Sequence, residues 1–359
     1  MKVLGIETSC DECAAAVVEN GRKVLSNIVA TQVPFHAPYY GVVPEIASRK
    51  HTEWIYSVVK EALGKAGLEA KDIDAVAATY QPGLLGSLLV GLSFAKAFAW
   101  ARDIPFIAVD HMIAHIYASQ LIIDDQMSDG LEVHTEPLAE LKAYPFLGLL
   151  VSGGHSIICR ADDYDNITVL DTTIDDAAGE AFDKIAKHYN FGYPGGAVID
   201  RLAQNGDSGA FRFPMPSLHK APPGGTGHRY DVSYSGLKNA VINQLDQFKV
   251  KDGEVQPEDI AASFQKTAVE ILLRALFNAC EDSKLSTIVA GGGVAANSLL
   301  RSRLRERHDL NCIFPPLELC SDNGAMIAGL AYQYLTRGNR SPLNVIASAR
   351  VDGFKKRYP

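Results

Sequence analysis

The sequence has no excess of positive charge, no uninterrupted long apolar run, and few cysteines for its length. Of 359 residues, 34 are Lys or Arg and 42 are Asp or Glu, a formal net charge of −8. That total carries no electrostatic footprint for nucleic acid, so an RNA partner would have to meet a local basic patch or a helper subunit. The longest apolar stretch, Leu84 to Trp100, is broken by Gly86, Ser87, Gly91 and Lys96. It is too short and too interrupted to read as a membrane span. The run Met1 to Ile6 meets Glu7 too soon for a signal peptide, which leads us to expect a cytoplasmic location. Six cysteines without a secretion signal imply reduced thiols. Cys10 and Cys13 form a CxxC, but no second pair follows at zinc-ribbon spacing, so they read as loop and strand residues. What remains is 47% hydrophobic and 21% charged, a composition for large cores in about two domains.

The segment Ile104 to Val109 reads as a buried strand, and Asp110-His111-Met112-Ile113-Ala114-His115 follows it with helix-compatible spacing. Histidines four apart project from one helix face and can reach one metal ion. Most histidines are ordinary surface or polar core residues. What raises this pair is its place after the C-terminal end of a strand, where α/β folds bind ligands. The zinc-protease pattern needs Glu after the first His; Met112 stands there and disfavours it.

Two strand–turn–strand segments resemble each other: Lys2–Ile6, the polar turn Glu7–Glu12 and Ala14–Val18, then Phe146–Val151, Ser152–Ser156 and Ile157–Cys159. Small-residue turns let backbone amides point at an anion. Gly291-Gly292-Gly293 follows the strand-like Ser286–Ala290 and precedes the helical Ala295–Leu300, an arrangement that can seat a phosphate or adenosine. Each alone is weak, since tight turns use glycine for plain geometry. Together they suggest a duplicated fold with a nucleotide cleft. Helices are expected through Lys65, over Leu85–Arg102, Thr172–His188 and Glu258–Cys280. Asp176, Glu180 and Asp183 would share a helix face, where a solvated acidic face is the bland reading. Asp183 stands apart because Gly192–Gly196 turns the chain back and brings Asp200 alongside. Residues 124–144 are expected to be an inserted acidic surface loop, and Pro214–Gly227 an exposed one.

These residues carry a resemblance. Gly5–Glu12, Gly41–His51, His111–His115, Val151–His155, Asp175–Lys184, Ser233–Lys238, Gly291–Asn297 and Ser321–Ala328 together resemble the tRNA threonylcarbamoyladenosine transferase family, over about Lys2 to Leu335. The resemblance implies an α/β fold of two duplicated ribonuclease-H-like lobes around a nucleotide cleft, as in actin, sugar kinases and heat-shock ATPases. We expect residues 1–107 with 323–345 in the first lobe and 108–322 in the second. It implies transfer of threonylcarbamoyl from threonylcarbamoyl-AMP to the exocyclic N6 amine of the adenosine 3′ of the anticodon, in tRNAs reading codons that begin with A, releasing AMP. His111, His115 and Asp322 correspond to ligands of one divalent metal, Fe(2+) first and Zn(2+) as the alternative. Leu150, Val151, Ser152, Gly153 and Gly154 would hold the acyl-adenylate, and Asp183, Gly196, Asp200 and Asn297 its nucleoside. Leu150 stands where some relatives place a tyrosine ligand. Other departures are Cys13, Tyr40, Gln81, Met215, Ser156 and Ser321, none of them in the triad.

The adenine amine is a poor nucleophile, so transfer needs a polarised carbamoyl oxygen and stabilised phosphate charge. A metal can supply either, and the Ser152–Gly154 amides can add to it. Asp11 or Glu12 is the candidate to accept the amine proton or orient the base. Expected partners are tRNA, a smaller subunit of the same fold and a P-loop ATPase, with Arg212, Lys220, Arg229 and Lys238 as candidate RNA contacts or ordinary solvated residues. The rivals are a small-molecule kinase of the same superfold, a metallopeptidase and a non-catalytic scaffold. The kinase does not explain the His pair, the peptidase lacks the His-Glu start, and the scaffold would have lost the ligands.

Overall fold

A computed structural model describes residues 1–123, 144–216, 230–249 and 255–350. The chain divides into two compact units, one from the described parts of Met1–Lys142 and Pro315–Gly353, the other from those of Ala143–Phe314.

The first unit opens with β1 (Lys2–Glu7), β2 (Glu12–Glu19) and β3 (Lys23–Thr31). The short α1 (Val33–His36) and long α2 (Pro44–Lys65) follow. Then come β4 (Ala75–Gln81), α3 (Leu85–Arg102), β5 (Phe106–Asp110), α4 (His111–Tyr117) and β6 (Ile122–Ile123). The sheet order is β5-β4-β1-β2-β3-β6. β1 pairs antiparallel with β2 and parallel with β4, which pairs parallel with β5. β1 and β4 are therefore central, and their apolar residues are buried on both faces, as parallel strands demand.

The second unit repeats this plan. It holds β7 (Phe146–Val151), β8 (Ser156–Asp163) and β9 (Asn166–Thr172), then α5 (Ala178–His188), α6 (Gly195–Ala203), α7 (Ser235–Lys249) and α8 (Pro257–Ser283). β10 (Thr287–Gly291), α9 (Ser298–Arg305) and β11 (Asn311–Ile313) complete it. The order β11-β10-β7-β8-β9 has an antiparallel meander of three and two parallel partners, as in the first sheet. The α/β class and the internal duplication are thus as the two similar hairpins suggested.

After β11 the chain returns to the first unit and forms α10 (Gly324–Thr336), which crosses β1 closely enough to require glycine on both sides. A Cβ on Gly5 would lie 2.2 Å from the Gly324 carbonyl oxygen, and one on Gly324 2.6 Å from the Ala16 nitrogen. This return moves the boundaries from those expected. β5 hydrogen-bonds to β4 and α4 packs against α10, so residues 108–123 belong to the first unit, and Asp322 does too. The corrected division falls near 142 and 315 instead of 107 and 323, because sheet pairing, not the His motif, decides it.

Two further expectations change. The Thr172–His188 helix begins only at Ala178, since Thr172 ends β9 and Asp175 and Asp176 lie in the connection. α8, expected to end at Cys280, continues to Ser283. Residues 124–143 of the acidic insertion and 217–227 of the Pro/Gly-rich loop lie outside the described residues.

Candidate metal centre and nucleoside-binding residues

Asp110 ends β5 and caps α4. Its carboxylate accepts from the Met112 and Ile113 amides at 2.9 and 3.2 Å and from Gln81 Nε2 at 3.0 Å. Gln81, a departure from the family pattern, therefore braces this cap. The cap starts the helix at His111 and sets His115 one turn further, with ring centroids 4.6 Å apart and edge to face. Asp322 arrives from the other end of the chain, beside Asn323, which caps α10 by accepting from the Met326 amide.

The three side chains converge. His115 Nε2 lies 3.2 Å from His111 Nε2 and 3.1 Å from Asp322 Oδ1, and His111 Nε2 lies 3.5 Å from that oxygen. Tetrahedral donors ~2.1 Å from a shared ion stand ~3.4 Å from one another, so this triangle fits one metal ion. All three donors are borderline or hard, as iron(II) and zinc(II) accept. The two histidines are buried and Asp322 is partly exposed, so the set is compatible with one metal with positions left for other ligands.

Sequence reasoning missed Glu7. This carboxylate, fully buried at the end of β1, accepts from the Ser9 amide and the Thr79 hydroxyl, and His111 Nδ1 lies 3.0 Å from it. The available signal was an acidic residue ending an otherwise apolar strand. Burial opposes the charge on His111, but Asp322 and Glu7 together overcome it and lift its pKa from 6.5 to about 9.

The first turn lies beside the triad. Burial, then the charges of Asp11 and Asp322, hold the Glu12 carboxyl well above the usual carboxylate range. The same influences raise the Cys10 thiol. The turn is tied down by the Gln32 amide, which donates to the Asp11 carbonyl, and by His51 Nε2, 2.9 Å from the Cys10 carbonyl oxygen. The fully buried Cys13 thiol is pushed up to about 12, first by burial and then by Glu7, and all six cysteines are free.

In the second unit, the expected nucleoside residues form a connected set. Asp183 Oδ1 accepts from the Gly195 amide at 2.7 Å, fixing the start of α6. Gly196 and Asp200 lie four apart on that helix and share a face. Asp200 Oδ1 accepts from Asn297 Nδ2 at 3.1 Å and from the Ser298 hydroxyl at 2.7 Å. Asn297 also donates to Gln265 Oε1 and caps α9 by accepting from the Leu300 amide. Gln265, buried on α8, was not anticipated.

The Leu150–Gly154 segment, expected to hold the acyl-adenylate, is the end of β7 followed by a turn. Leu150 and Val151 are buried strand residues whose side chains sit in the core. The Ser152 amide donates to the His155 carbonyl, so it is spent within the turn. Gly153 and Gly154 are exposed, with no atom within 4 Å of where a Cβ would stand. Behind them, a Cβ on Gly179 would lie 2.7 Å from Gly153 Cα, so α5 packs against the turn's backbone.

The acidic stretch is hydrogen-bonded and ion-paired within its own unit, although Asp175 stays exposed. Asp175 accepts from the Ser233 and Ser235 hydroxyls and the Tyr234 amide, and Asp176 pairs with Lys184 and Lys238. Lys238, a candidate RNA contact, thus serves an internal ion pair at 3.0 Å. Arg212 is exposed, Lys220 and Arg229 lie outside the described residues, and Met215 packs on the core.

A duplicated mixed sheet with clustered His, His and Asp donors defines a class: α/β proteins of the actin-like superfold with a site compatible with one metal. The fold is similar to that of component A of (R)-2-hydroxyglutaryl-CoA dehydratase from Acidaminococcus fermentans (TM-score 0.52, 15% identity, 94% of this chain and 99% of that one). It is also similar to full-length HypF in a phosphate- and nucleotide-bound form (TM-score 0.56, 13% identity, 93% and 46%). The family model described as TsaD, tRNA N6-adenosine threonylcarbamoyltransferase, matches residues 23–329, and the chain belongs to that family. Relatives carrying that name are 64% identical in Treponema denticola (99% of each chain), 54% in Treponema pallidum (99% and 95%) and 46% in Borreliella burgdorferi (100% and 96%).

Proposed function

We propose that this chain transfers the threonylcarbamoyl group from threonylcarbamoyl-AMP to the N6 amine of the adenosine 3′ of the anticodon in tRNAs reading codons that begin with A. The observation that carries the reading is the intact His111–His115–Asp322 triangle in a chain that matches the transferase family over residues 23–329.

His111, His115 and Asp322 would hold one divalent ion, iron(II) in the first place and zinc(II) as the alternative. When bound, the ion supplies Lewis-acid polarisation of an acyl or phosphate oxygen. The protein's own residues do the rest. Asp183, Gly196, Asp200 and Asn297 bind the nucleoside: carboxylates for ribose hydroxyls, a glycine for close approach, an amide for the base. The Gly153 and Gly154 amides are the donors assigned to the phosphate, where they would stabilise charge on the departing AMP. One carboxylate of the Asp11–Glu12 pair accepts the proton lost by the amine, and the other orients the base. Bonds balance: the N6–carbonyl bond forms, the carbonyl–phosphate oxygen bond breaks, and the amine proton passes to the carboxylate. With a net charge of −8, the chain relies on partners to present tRNA, a smaller subunit of the same fold and a P-loop ATPase.

The test is incubation of the purified protein, with and without those partners, with threonylcarbamoyl-AMP and unmodified tRNA, followed by nucleoside mass analysis. Threonylcarbamoyladenosine in the digest supports the reading. Its absence in every combination, with metal loaded, overturns it.

A further inference from the structure

We propose that Glu7 is a positioning residue for the cation triad, holding His111 in the tautomer that presents its Nε2 lone pair and adding a second negative charge behind it. The proposal rests on the reading that the triad binds a divalent cation.

Glu7 has none of its surface exposed. A buried carboxylate is costly unless donors surround it, and here three do: the Ser9 amide on one oxygen, the Thr79 hydroxyl and His111 Nδ1 on the other. Thr79 and Glu7 are held in place by sheet pairing, since β1 and β4 run parallel with Ile6 beside Ala78. The carboxylate therefore cannot swing away from the imidazole without breaking bonds set by the central strands. Ser9 Oγ, 3.3 Å from the same ring nitrogen, accepts a share of its hydrogen.

A neutral imidazole carries its hydrogen on one nitrogen only. With Nδ1–H donating to Glu7, the lone pair is left on Nε2. That is the atom 3.2 Å from His115 Nε2 and 3.5 Å from Asp322 Oδ1. Without the carboxylate, the other tautomer becomes comparably populated and turns an N–H toward the cation. His115 receives no such help, because its Nδ1 is buried with no hydrogen-bond partner among the described residues. Of the two imidazoles, only His111 has its Nδ1 held by a carboxylate.

Cobalt(II) titration of the metal-free protein, followed by its visible ligand-field absorption, tests this without any transfer assay. Compared at the high-pH limit of affinity, where no proton competes for His111, E7Q and E7A are expected to weaken cobalt binding by about 10–100-fold, the range for removing an outer-shell partner of a metal-bound histidine. T79V, which frees one anchor of the carboxylate, should weaken it in the same direction by less. In the zinc-loaded wild type, the His111 Nδ1 proton should be a protected, downfield NMR signal that E7A abolishes. Circular dichroism of the metal-free variants reports folding; if E7Q and E7A do not fold, T79V decides. Cobalt affinity within twofold of wild type in folded E7Q, or in T79V should the Glu7 variants not fold, overturns the role of Glu7 and leaves the triad standing. Failure of the wild type to bind cobalt overturns the metal reading itself.

Discussion

Metal uptake should displace a proton. In the metal-free protein His111 is lifted to about 9 by Asp322 and Glu7 against the cost of burial, so at pH 7 roughly one molecule in 100 carries it neutral. A cation needs that neutral ring. Its apparent affinity at pH 7 should therefore lie about 100-fold, or ~2.7 kcal/mol, below its high-pH limit, and rise about tenfold between pH 7 and 8. The same shift sets the stability of the metal-free protein. Because the folded pKa is raised, the contribution is full below the unfolded value near 6.5 and is lost as pH rises through about 9, a change of ~3 kcal/mol. Calorimetric titration of the metal-free protein with zinc(II), in buffers of different ionisation enthalpy, measures both affinity and proton release. We expect close to one proton released per ion from this residue at pH 7.5. Equal affinities at pH 7 and 8 with no proton release would refute the reasoning.

Three further outcomes follow from the geometry. E12Q keeps the uncharged form that burial and Asp11 favour, so its melting temperature should match wild type while transfer falls by about 10²–10⁴-fold; unchanged transfer in E12Q and D11A removes both from the proton path. G179A drives a methyl group to within 2.7 Å of Gly153 Cα and Ser152 O, which should cost about 1–3 kcal/mol in denaturant melts and weaken binding of a non-hydrolysable acyl-adenylate. N297A removes the cap on the Leu300 amide, about 1 kcal/mol, and strips donors from Asp200 and Gln265, so nucleoside affinity measured by calorimetry should fall at least tenfold.

The strand–turn–strand repeats at residues 2–18 and 146–159 were legible because apolar β-branched runs on either side of a polar turn allow few other structures, and both became the β1–β2 and β7–β8 pairs. The His111–His115 pair was legible as four-residue spacing after a strand. Asp322 was not: nothing local marks it, and only the family resemblance brought it to the site. Glu7 was missed for the same physical reason, since its partners Thr79 and His111 lie 72 and 104 residues away. The helix over Thr172–His188 was drawn too long because the spacing of Asp175 and Asp176 suits a helix. Their side chains instead bind the segment around Ser233–Lys238, 58 to 62 residues further along. The unit boundaries were misplaced because sheet pairing is nonlocal, and a motif's neighbourhood in sequence says little about which sheet it joins.

The late return of α10 has a consequence for synthesis. Its Gly324 backs onto β1, made some 300 residues earlier, and Asp322 is the last of the three donors to leave the ribosome. A nascent chain stopped anywhere before residue 322 holds both imidazoles but no carboxylate to join them. The second unit is translated in full before the first can close, so only the completed polypeptide brings all three donors together.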